Sequence, residues 1–378
     1  MEKVSREQIV WIDLLRVIAC FLVILSHSCD PFVGQFDINH YEFLTGAYIG
    51  SLVRSCVPLF VMISGVLLLP VNTDMTTFYS KRARRLVFPF VFWSLALPVL
   101  FYLYVNSGVK IINPNIVAED HTLGMTLQKL YLFVFNFNYD TIPLWYVYML
   151  IGLYLFMPII SPWLKQASKR DLKRFIYIWI VSMCLPYLQM LAPFLGYQGN
   201  YGSMGLLGVC EWNAYGMLYY FSGFLGYIVL AYYLKQYPPD WNWSRTLYIT
   251  IPLFLVGYAI TAGGFILTQK HFPGSYANLE IIWYFSGINV FMMTFPIFII
   301  IQKLKIEASP LLSKVASLTF GVYLCHFIFV QFGYDFVYPN INVPAFVKIL
   351  IIAIFTFMVS LLVVWLMSLN KITKKLVT

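Results

Sequence analysis

The sequence predicts an all-α integral membrane protein, a single polytopic bundle of about ten transmembrane helices with both termini in the cytoplasm. Three observations predict this fold class. Of the 378 residues, 60% are hydrophobic and 11% are charged, whereas an ordinary soluble domain carries roughly 25% charged residues. The apolar residues fall into ten segments of about 20 residues, which is the length that crosses a bilayer as a helix. Lys and Arg collect between alternate segments.

The ten apolar segments take up most of the chain. With no internal repeat, low-complexity tract or appended soluble domain, residues 1–378 are predicted to form one transmembrane domain with short cytoplasmic tails at 1–9 and 370–378. The first segment is long and lacks a small-residue cleavage site, so it is not predicted to be a signal peptide. The predicted segments are 10–29, 46–70, 86–105, 142–163, 174–194, 213–234, 246–268, 281–302, 315–334 and 346–369.

The longest gap, residues 106–141, is predicted to lie outside. It contains a short aromatic stretch at 130–137 that is too short to span the hydrocarbon, so we expect an interfacial or re-entrant piece there.

Charge supports the count of ten. With the N-terminus inside, nineteen of the 25 Lys and Arg residues fall in cytoplasmic segments, and only Lys110, Lys129 and Lys270 fall in outer ones. This is the distribution that the positive-inside rule predicts. The net charge of +9 is therefore attributed to cytoplasmic loops, and no nucleic-acid partner is expected.

The first segment carries three ionisable residues, Asp13, Arg16 and His27. Such groups are costly in hydrocarbon and usually face a bundle interior or a wet cavity. Eleven residues separate Arg16 from His27, which places them within ~20° of one face and ~16 Å apart along the axis. Asp13 lies three residues before Arg16 and can pair with it. A structural ion pair and a packing histidine are the alternatives, but the alignment favours a functional stripe.

A basic cluster precedes the third segment. Arg82 and Arg85 are one turn apart on one face. They are either a topology signal or a clamp for a cytosolic phosphorylated ligand, since paired guanidinium groups suit phosphate oxygens.

The other intramembrane polar residues leave their roles open. His326 falls near the middle of the ninth segment and either meets the stripe of the first helix or simply packs. Arg54 is expected two turns into the second helix, where it either snorkels to the headgroups or acts on substrate. Lys348 is expected to snorkel, and His40, His121 and His271 are expected to be ordinary surface residues. None of the six cysteines forms a CxxC pair, so no metal site is predicted.

An ordered set of motifs resembles the acyltransferase-3 family of bacterial inner-membrane proteins, from Trp11 to about Leu366. The motifs are D-x-x-R-x10-H as Asp13, Arg16 and His27; PLFVMISGVLL at 58–68; KRARRLVFPF with Arg82 and Arg85; PLWYVYMLIGLYLFMP at 143–158; and FGVYLCH ending at His326. Each motif is weak alone, but their order on ten helices is specific for the family.

The resemblance implies a multi-pass O-acyltransferase of the cell inner membrane. Such an enzyme moves an acyl group, most often acetyl, from cytosolic acyl-CoA to a hydroxyl of an envelope polysaccharide or glycolipid. The resemblance makes His27 the catalytic base with Arg16 and Asp13 in its motif, and Arg82 and Arg85 donor contacts. Arg54, Ser64, Trp145 and Tyr146 are candidate oxyanion donors. Acetyl-CoA is expected as a substrate, and no bound cofactor is expected.

Two other functions stay open at this point. A transporter of a glycan or lipid-linked sugar would also suit ten helices with a polar stripe. A haem electron carrier would use His27 and His326, but there are no further helix-paired histidines. The sequence leaves the acceptor, the acyl group and the oligomeric state open.

Overall fold

The computed structural model describes residues 9–135, 138–197, 205–273 and 281–377. It is 80% helical, and no β-strand occurs among these residues. The described α-helices are α1 (Val10–Val33), α2 (His40–Leu52), α3 (Cys56–Leu68), α4 (Met75–Val105), α5 (Leu123–Leu132), α6 (Trp145–Gln166), α7 (Lys169–Leu191), α8 (Leu225–Gln236), α9 (Trp243–His271), α10 (Ile288–Lys303), α11 (Pro310–Asn340) and α12 (Ala345–Leu369).

Within the described ranges, nine helical stretches are long and apolar enough to cross a membrane. This confirms an all-helical, multi-pass membrane protein. Of the ten predicted segments, the sixth, 213–234, is the one that is absent from these nine stretches. There, a 3₁₀ turn at Gly216–Phe221 precedes the 12-residue helix α8. Twelve residues span only ~18 Å. The count of ten and the cytoplasmic position of both termini stay predictions.

Helix α8 is short, and eight of its 12 residues are buried inside the bundle. It packs closely on α3, where a Cβ added at Gly65 would come within 2.8 Å of the Ile228 carbonyl oxygen. Lys235 at its end donates to the Val66 carbonyl at 2.7 Å. Irregular backbone at membrane depth is tolerated where protein covers it, so an apolar segment of this kind need not form a full spanning helix.

The predicted second segment, 46–70, is not one continuous helix. The helix is interrupted at residues 53–55, between α2 and α3. Pro58 supplies a physical reason, because it has no N–H to donate to the Arg54 carbonyl one turn earlier, and proline is tolerated only in the first turn of a helix. Arg54 therefore lies in a break, and its expected place two turns into a continuous helix is wrong.

The outer segment contains a 3₁₀ turn at Ala118–His121, α5 and a second turn at Phe133–Phe135. Helix α5 exposes Leu123, Leu127 and Tyr131, as an interfacial helix would. Residues 136 and 137 of the predicted interfacial piece lie outside the described ranges.

The expectation that His121 is a surface residue is wrong. Its Nε2 donates to Asp140 Oδ1 at 2.8 Å, and Lys129 Nζ donates to the other carboxylate oxygen at 2.8 Å. His121 is buried because this carboxylate lies nineteen residues away, a pairing that local sequence does not reveal. His40 and His271 are exposed as predicted.

Helices α1 and α11 lie side by side through the core and position the polar residues. Cys20 Sγ on α1 contacts the Thr319 carbonyl of α11 at 3.6 Å, and both helices are largely buried. We call the end of the bundle that carries Arg82 and Arg85 the inner end, because it is predicted to face the cytoplasm. The end that carries residues 106–135 is the outer end.

Candidate functional site

A cavity of about 310 Å³ lies at the inner end, between α1, α3, α4, α6 and α11. We call it the inner cavity. Five residues that the sequence singles out separately line it together: Arg16, Ser64, Arg82, Arg85 and Tyr146. The structure thus brings the basic cluster of α4 to the same space as the inner end of the α1 stripe.

Positive charge dominates this end of the molecule. Arg82 is half-buried, with its guanidinium carbon 5.4 Å from the Phe78 ring and 5.9 Å from the Tyr154 ring. It also lines an adjoining cavity of about 350 Å³ together with Lys81 and Lys235. No Asp or Glu is among the described residues that line either cavity. Such a surface favours a ligand with several negative charges.

The rest of the cavity wall includes uncharged polar and aromatic side chains. The Ser64 and Tyr154 hydroxyl oxygens are 3.5 Å apart, and the rings of Tyr146 and Tyr323 lie 5.5 Å apart. The Tyr323 hydroxyl donates to the Pro143 carbonyl. Tyr323 is therefore held between the inner cavity, which it lines, and His326, whose ring centroid is 5.9 Å away.

Asp13 ties α1 to the start of α11. Arg16 Nη1 donates to Asp13 Oδ1 at 3.3 Å, and Ser313 Oγ donates to Asp13 Oδ2 at 3.1 Å. The predicted Asp13–Arg16 pair is therefore present. Fourteen residues of helix place Asp13 ~21 Å from His27, so Asp13 orients Arg16 toward the cavity and does not contact the histidine.

His27 is paired with Asp30, a residue that the sequence reasoning missed. His27 Nδ1 donates to Asp30 Oδ2 at 2.8 Å. An ionised carboxylate can only accept a hydrogen bond, so Nδ1 carries the proton and Nε2 is left as a proton acceptor. The signal was available, because His-x-x-Asp places the two side chains one turn apart on one helix face.

His326 lies beside His27. Their ring centroids are 5.4 Å apart, and the Phe327 ring is 5.3 Å from His27. His326 is fully buried, and its Nδ1 donates to the Tyr323 carbonyl at 2.6 Å. Its Nε2 is buried without a hydrogen-bond partner among the described residues. Of the two alternatives that the sequence left open, His326 meets the stripe of the first helix.

Arg54 and Trp145 lie in an aromatic group away from the lining of the inner cavity. The Arg54 guanidinium carbon is 3.7 Å from the centre of the Trp283 ring and 5.5 Å from that of Phe285. Trp145 stacks on Phe285 with centroids 5.5 Å apart. The four candidate oxyanion donors are thus divided, since Ser64 and Tyr146 line the inner cavity.

The site therefore has two polar layers along α1 and α11. The inner layer is cationic and suits an anionic ligand, and the outer layer holds His27, paired with Asp30, beside His326. No group of three or more His, Cys, Asp and Glu that could hold a metal ion occurs among the residues that the structure describes.

Comparison with known proteins gives one match. A family model, Acyl_transf_3, described as an acyltransferase domain, matches residues 9–368. No curated protein matches the chain, and no solved structure does. The matched range contains both polar layers.

Proposed function

Because this chain belongs to the acyltransferase-3 family, we propose that it is an O-acyltransferase of the bacterial inner membrane. It takes an acyl group, most often acetyl, from cytosolic acyl-CoA and transfers it to a hydroxyl of an envelope polysaccharide or glycolipid at the outer face. The observation that carries the proposal is that the cationic cavity and the His27–Asp30 pair lie along the same helix.

The inner cavity supports the choice of donor. Coenzyme A is highly anionic, and guanidinium groups bind phosphate oxygens through two parallel hydrogen bonds. Arg82 and Arg85 would hold these phosphates, with Arg16 deeper in the cavity. The uncharged wall at Ser64, Tyr146 and Tyr154 would then accommodate the thinner, neutral pantetheine arm.

The outer layer supports acid–base chemistry at the acyl carbon. The acceptor hydroxyl gives its proton to His27 Nε2 as its oxygen bonds to the acyl carbon. The carbon–sulfur bond then breaks, and the leaving sulfur takes the proton back from His27. Asp30 holds the imidazole in the reactive tautomer and stabilises the imidazolium, as the carboxylate of a catalytic triad does. General-base catalysis of this kind contributes about 10²–10⁴ in rate.

His326 has a supporting place in this scheme. Its unpartnered Nε2 is a hydrogen-bond acceptor, so it would orient a second hydroxyl of the acceptor sugar or the His27 imidazolium. A buried acceptor of this kind is costly when it has no partner, which supports a ligand that donates to it.

One pair of measurements tests the proposal. Envelope glycans from cells with and without the protein are compared for O-acyl groups, and the purified protein is tested for binding of acetyl-CoA. We expect acyl groups only when the protein is present, and binding that is lost when Arg82 and Arg85 are both replaced by Ala. Unchanged glycans, or a protein that moves glycan and binds no acetyl-CoA, would indicate a transporter.

A further inference from the structure

Arg54 is a charged, half-buried residue of the bundle that forms no ion pair with another described residue. Its Nε is buried without a hydrogen-bond partner in those residues. The carboxylate that acts on it electrostatically is Asp30, which is hydrogen-bonded to His27. Ionisable residues at membrane depth commonly mark functional sites, so we expect the free donors of Arg54 to serve a ligand or a reacting group.

The guanidinium group is held rigidly while its N–H edge stays uncommitted. It stacks on Trp283 at 3.7 Å, and Trp283 is itself fixed by donating from Nε1 to Ser51 Oγ at 3.0 Å. A Cβ at Gly50 would lie 3.1 Å from the same indole ring, so the ring packs directly on the α2 backbone. Stacking uses only the face of a guanidinium, and its N–H donors remain in the plane.

The helix break adds a second donor beside Arg54. Ser55 is fully buried, and its Oγ has no partner among the described residues. The start of α3 itself adds little, because the Cys56 and Leu59 amides donate to the Val53 and Ser55 carbonyls and Pro58 has no N–H. Arg54 and the Ser55 hydroxyl thus form a pair of donors suited to a negative oxygen.

This group lies at the depth of His27. Arg16 and Ser64 line the same inner cavity, and α1 and α3 are packed neighbours. From there, eleven residues of α1 lead outward to His27, or ~16 Å, and eight residues of α3 lead outward to Cys56, or ~12 Å, next to the break that holds Arg54. The Asp30 carboxylate, which holds His27, also acts electrostatically on Arg54.

We propose that Arg54, with the Ser55 hydroxyl, forms the oxyanion site of the acyl transfer. This inference rests on the proposed function. As the acceptor oxygen bonds to the acyl carbon and its proton passes to His27, the carbonyl electron pair moves onto the carbonyl oxygen, which Arg54 stabilises. The carbonyl bond then forms again, the carbon–sulfur bond breaks, and the sulfur leaves with the proton from His27.

The position of Arg54 distinguishes it from two other candidates. Ser64 and Tyr146 belong to the inner cavity, and Ser64 lies eight residues, or ~12 Å, along α3 from Cys56, which follows the break that holds Arg54. They would contact the donor arm and not the reacting carbonyl. Removing one oxyanion donor typically costs about 10²–10³ in kcat, so an effect of this size is expected at Arg54 alone.

The test measures binding and transfer separately. Inside-out membrane vesicles that carry the envelope glycans receive acetyl-CoA with a labelled acetyl group, and label in the glycan is followed. In Arg54→Ala we expect transfer to fall about 10²–10³-fold with an unchanged Kd for acetyl-CoA. Added guanidinium ion should restore part of the rate. Arg54→Lys should keep the charge, lose the planar donor edge and give an intermediate rate.

Lys348→Ala is the matched control. Lys348 also stacks on an aromatic ring, 4.2 Å from the centre of Tyr338, and donates to the Tyr338 carbonyl at 3.1 Å, but it lies in the first turn of α12. Equal transfer by Arg54→Ala and Lys348→Ala would overturn the oxyanion role. Loss of acetyl-CoA binding, or a raised KM for glycolipid with normal kcat, would also overturn it and make Arg54 a phosphate-binding residue.

Two further outcomes are decisive. If Arg54→Ala does not insert in the membrane, Arg54→Lys carries the test, with a lowered kcat and an unchanged Kd expected. If the wild-type protein transfers no label, the proposed function itself is wrong, and the oxyanion site is wrong with it.

Discussion

The inner cavity and the outer layer, which holds His27 and His326 and is called the histidine layer below, differ in how far apart in the sequence their residues lie. The charges of the inner cavity include Arg82 and Arg85, which are one turn apart and lie two to three turns into α4, which begins at Met75. The histidine layer joins His27 to His326, 299 residues apart, in a buried place between α1 and α11. Attraction of an anion needs only charge near water, whereas proton transfer needs fixed geometry. The comparison therefore predicts that substitutions in the inner cavity change the affinity for acetyl-CoA, and that substitutions in the histidine layer change the rate of acyl transfer.

The sharpest test of this division is His27. Replacing it by Ala or Gln should lower acyl transfer by at least about 10²–10⁴, the contribution of a general base, with acetyl-CoA binding unchanged. Glutamine can keep a hydrogen bond with Asp30 but cannot take the proton. Labelled acetyl transfer and an acetyl-CoA binding isotherm measure the two quantities. A glutamine variant with near-normal transfer would show that His27 only packs, and His326 would become the candidate base.

Asp30→Asn should give the next largest loss of rate. An asparagine amide can donate to Nδ1 and so favour the wrong tautomer of His27, an effect that costs about 10⁴ in a buried triad. The Asp30 side chain is 39% exposed, so we expect a smaller loss than in His27→Gln. The measurement is kcat at saturating acetyl-CoA. An Asn variant with normal kcat would mean that Asp30 does not orient the base.

The inner cavity is tested by replacing Arg82 and Arg85 together with Ala. Each hydrogen bond to a charged group contributes about 1.5–3 kcal/mol, so the affinity for acetyl-CoA should fall about tenfold or more, and kcat at saturation should change less. The control replaces Lys169 and Arg170, which start α7 and do not line the inner cavity. Equal behaviour of the two double variants would make the α4 cluster a topology signal only.

The smallest effect on activity is expected from topology reporters. A reporter fused after Thr378 should read cytoplasm, and one inserted within 106–141 should read the outer side, with transfer retained in the first fusion. Opposite readings would assign the inner cavity to the cytoplasm, where acyl-CoA is found. The same reading at both sites would contradict the ten-helix topology, and the inner cavity could then not be assigned to the cytoplasmic side.

Sequence periodicity was enough to predict contacts within one helix. The contact of Asp13 with Arg16 follows from spacing, and the basic turn at Arg82 follows from charge. Asp30 was also within reach at a one-turn spacing, and Pro58 signals the break that places Arg54. The proximity of His27 to His326 and of His121 to Asp140 could not be predicted, because it depends on how distant segments pack.

Helix length was the least predictable property of the bundle. Apolar side chains are favoured both in contact with lipid and in the interior of a protein. Within residues 213–234, the α8 part is apolar and mostly buried by protein, with Tyr227 and Ile228 fully buried, whereas Met217 and Tyr220 before it are exposed. Hydropathy cannot separate these two environments, so the sixth segment was predicted as a full spanning helix.

The packing of Tyr323 against Tyr146 beside the inner cavity has a consequence for the cell. A protein with a wet inner cavity and a polar outer layer would provide a proton leak if the two were joined by water, and such a leak would dissipate the membrane potential. Tyr323 is buried and fixed by its hydrogen bond to Pro143, and Tyr146 packs against it. Under the proposed function, the packed rings that the donor arm passes would therefore also limit such a leak.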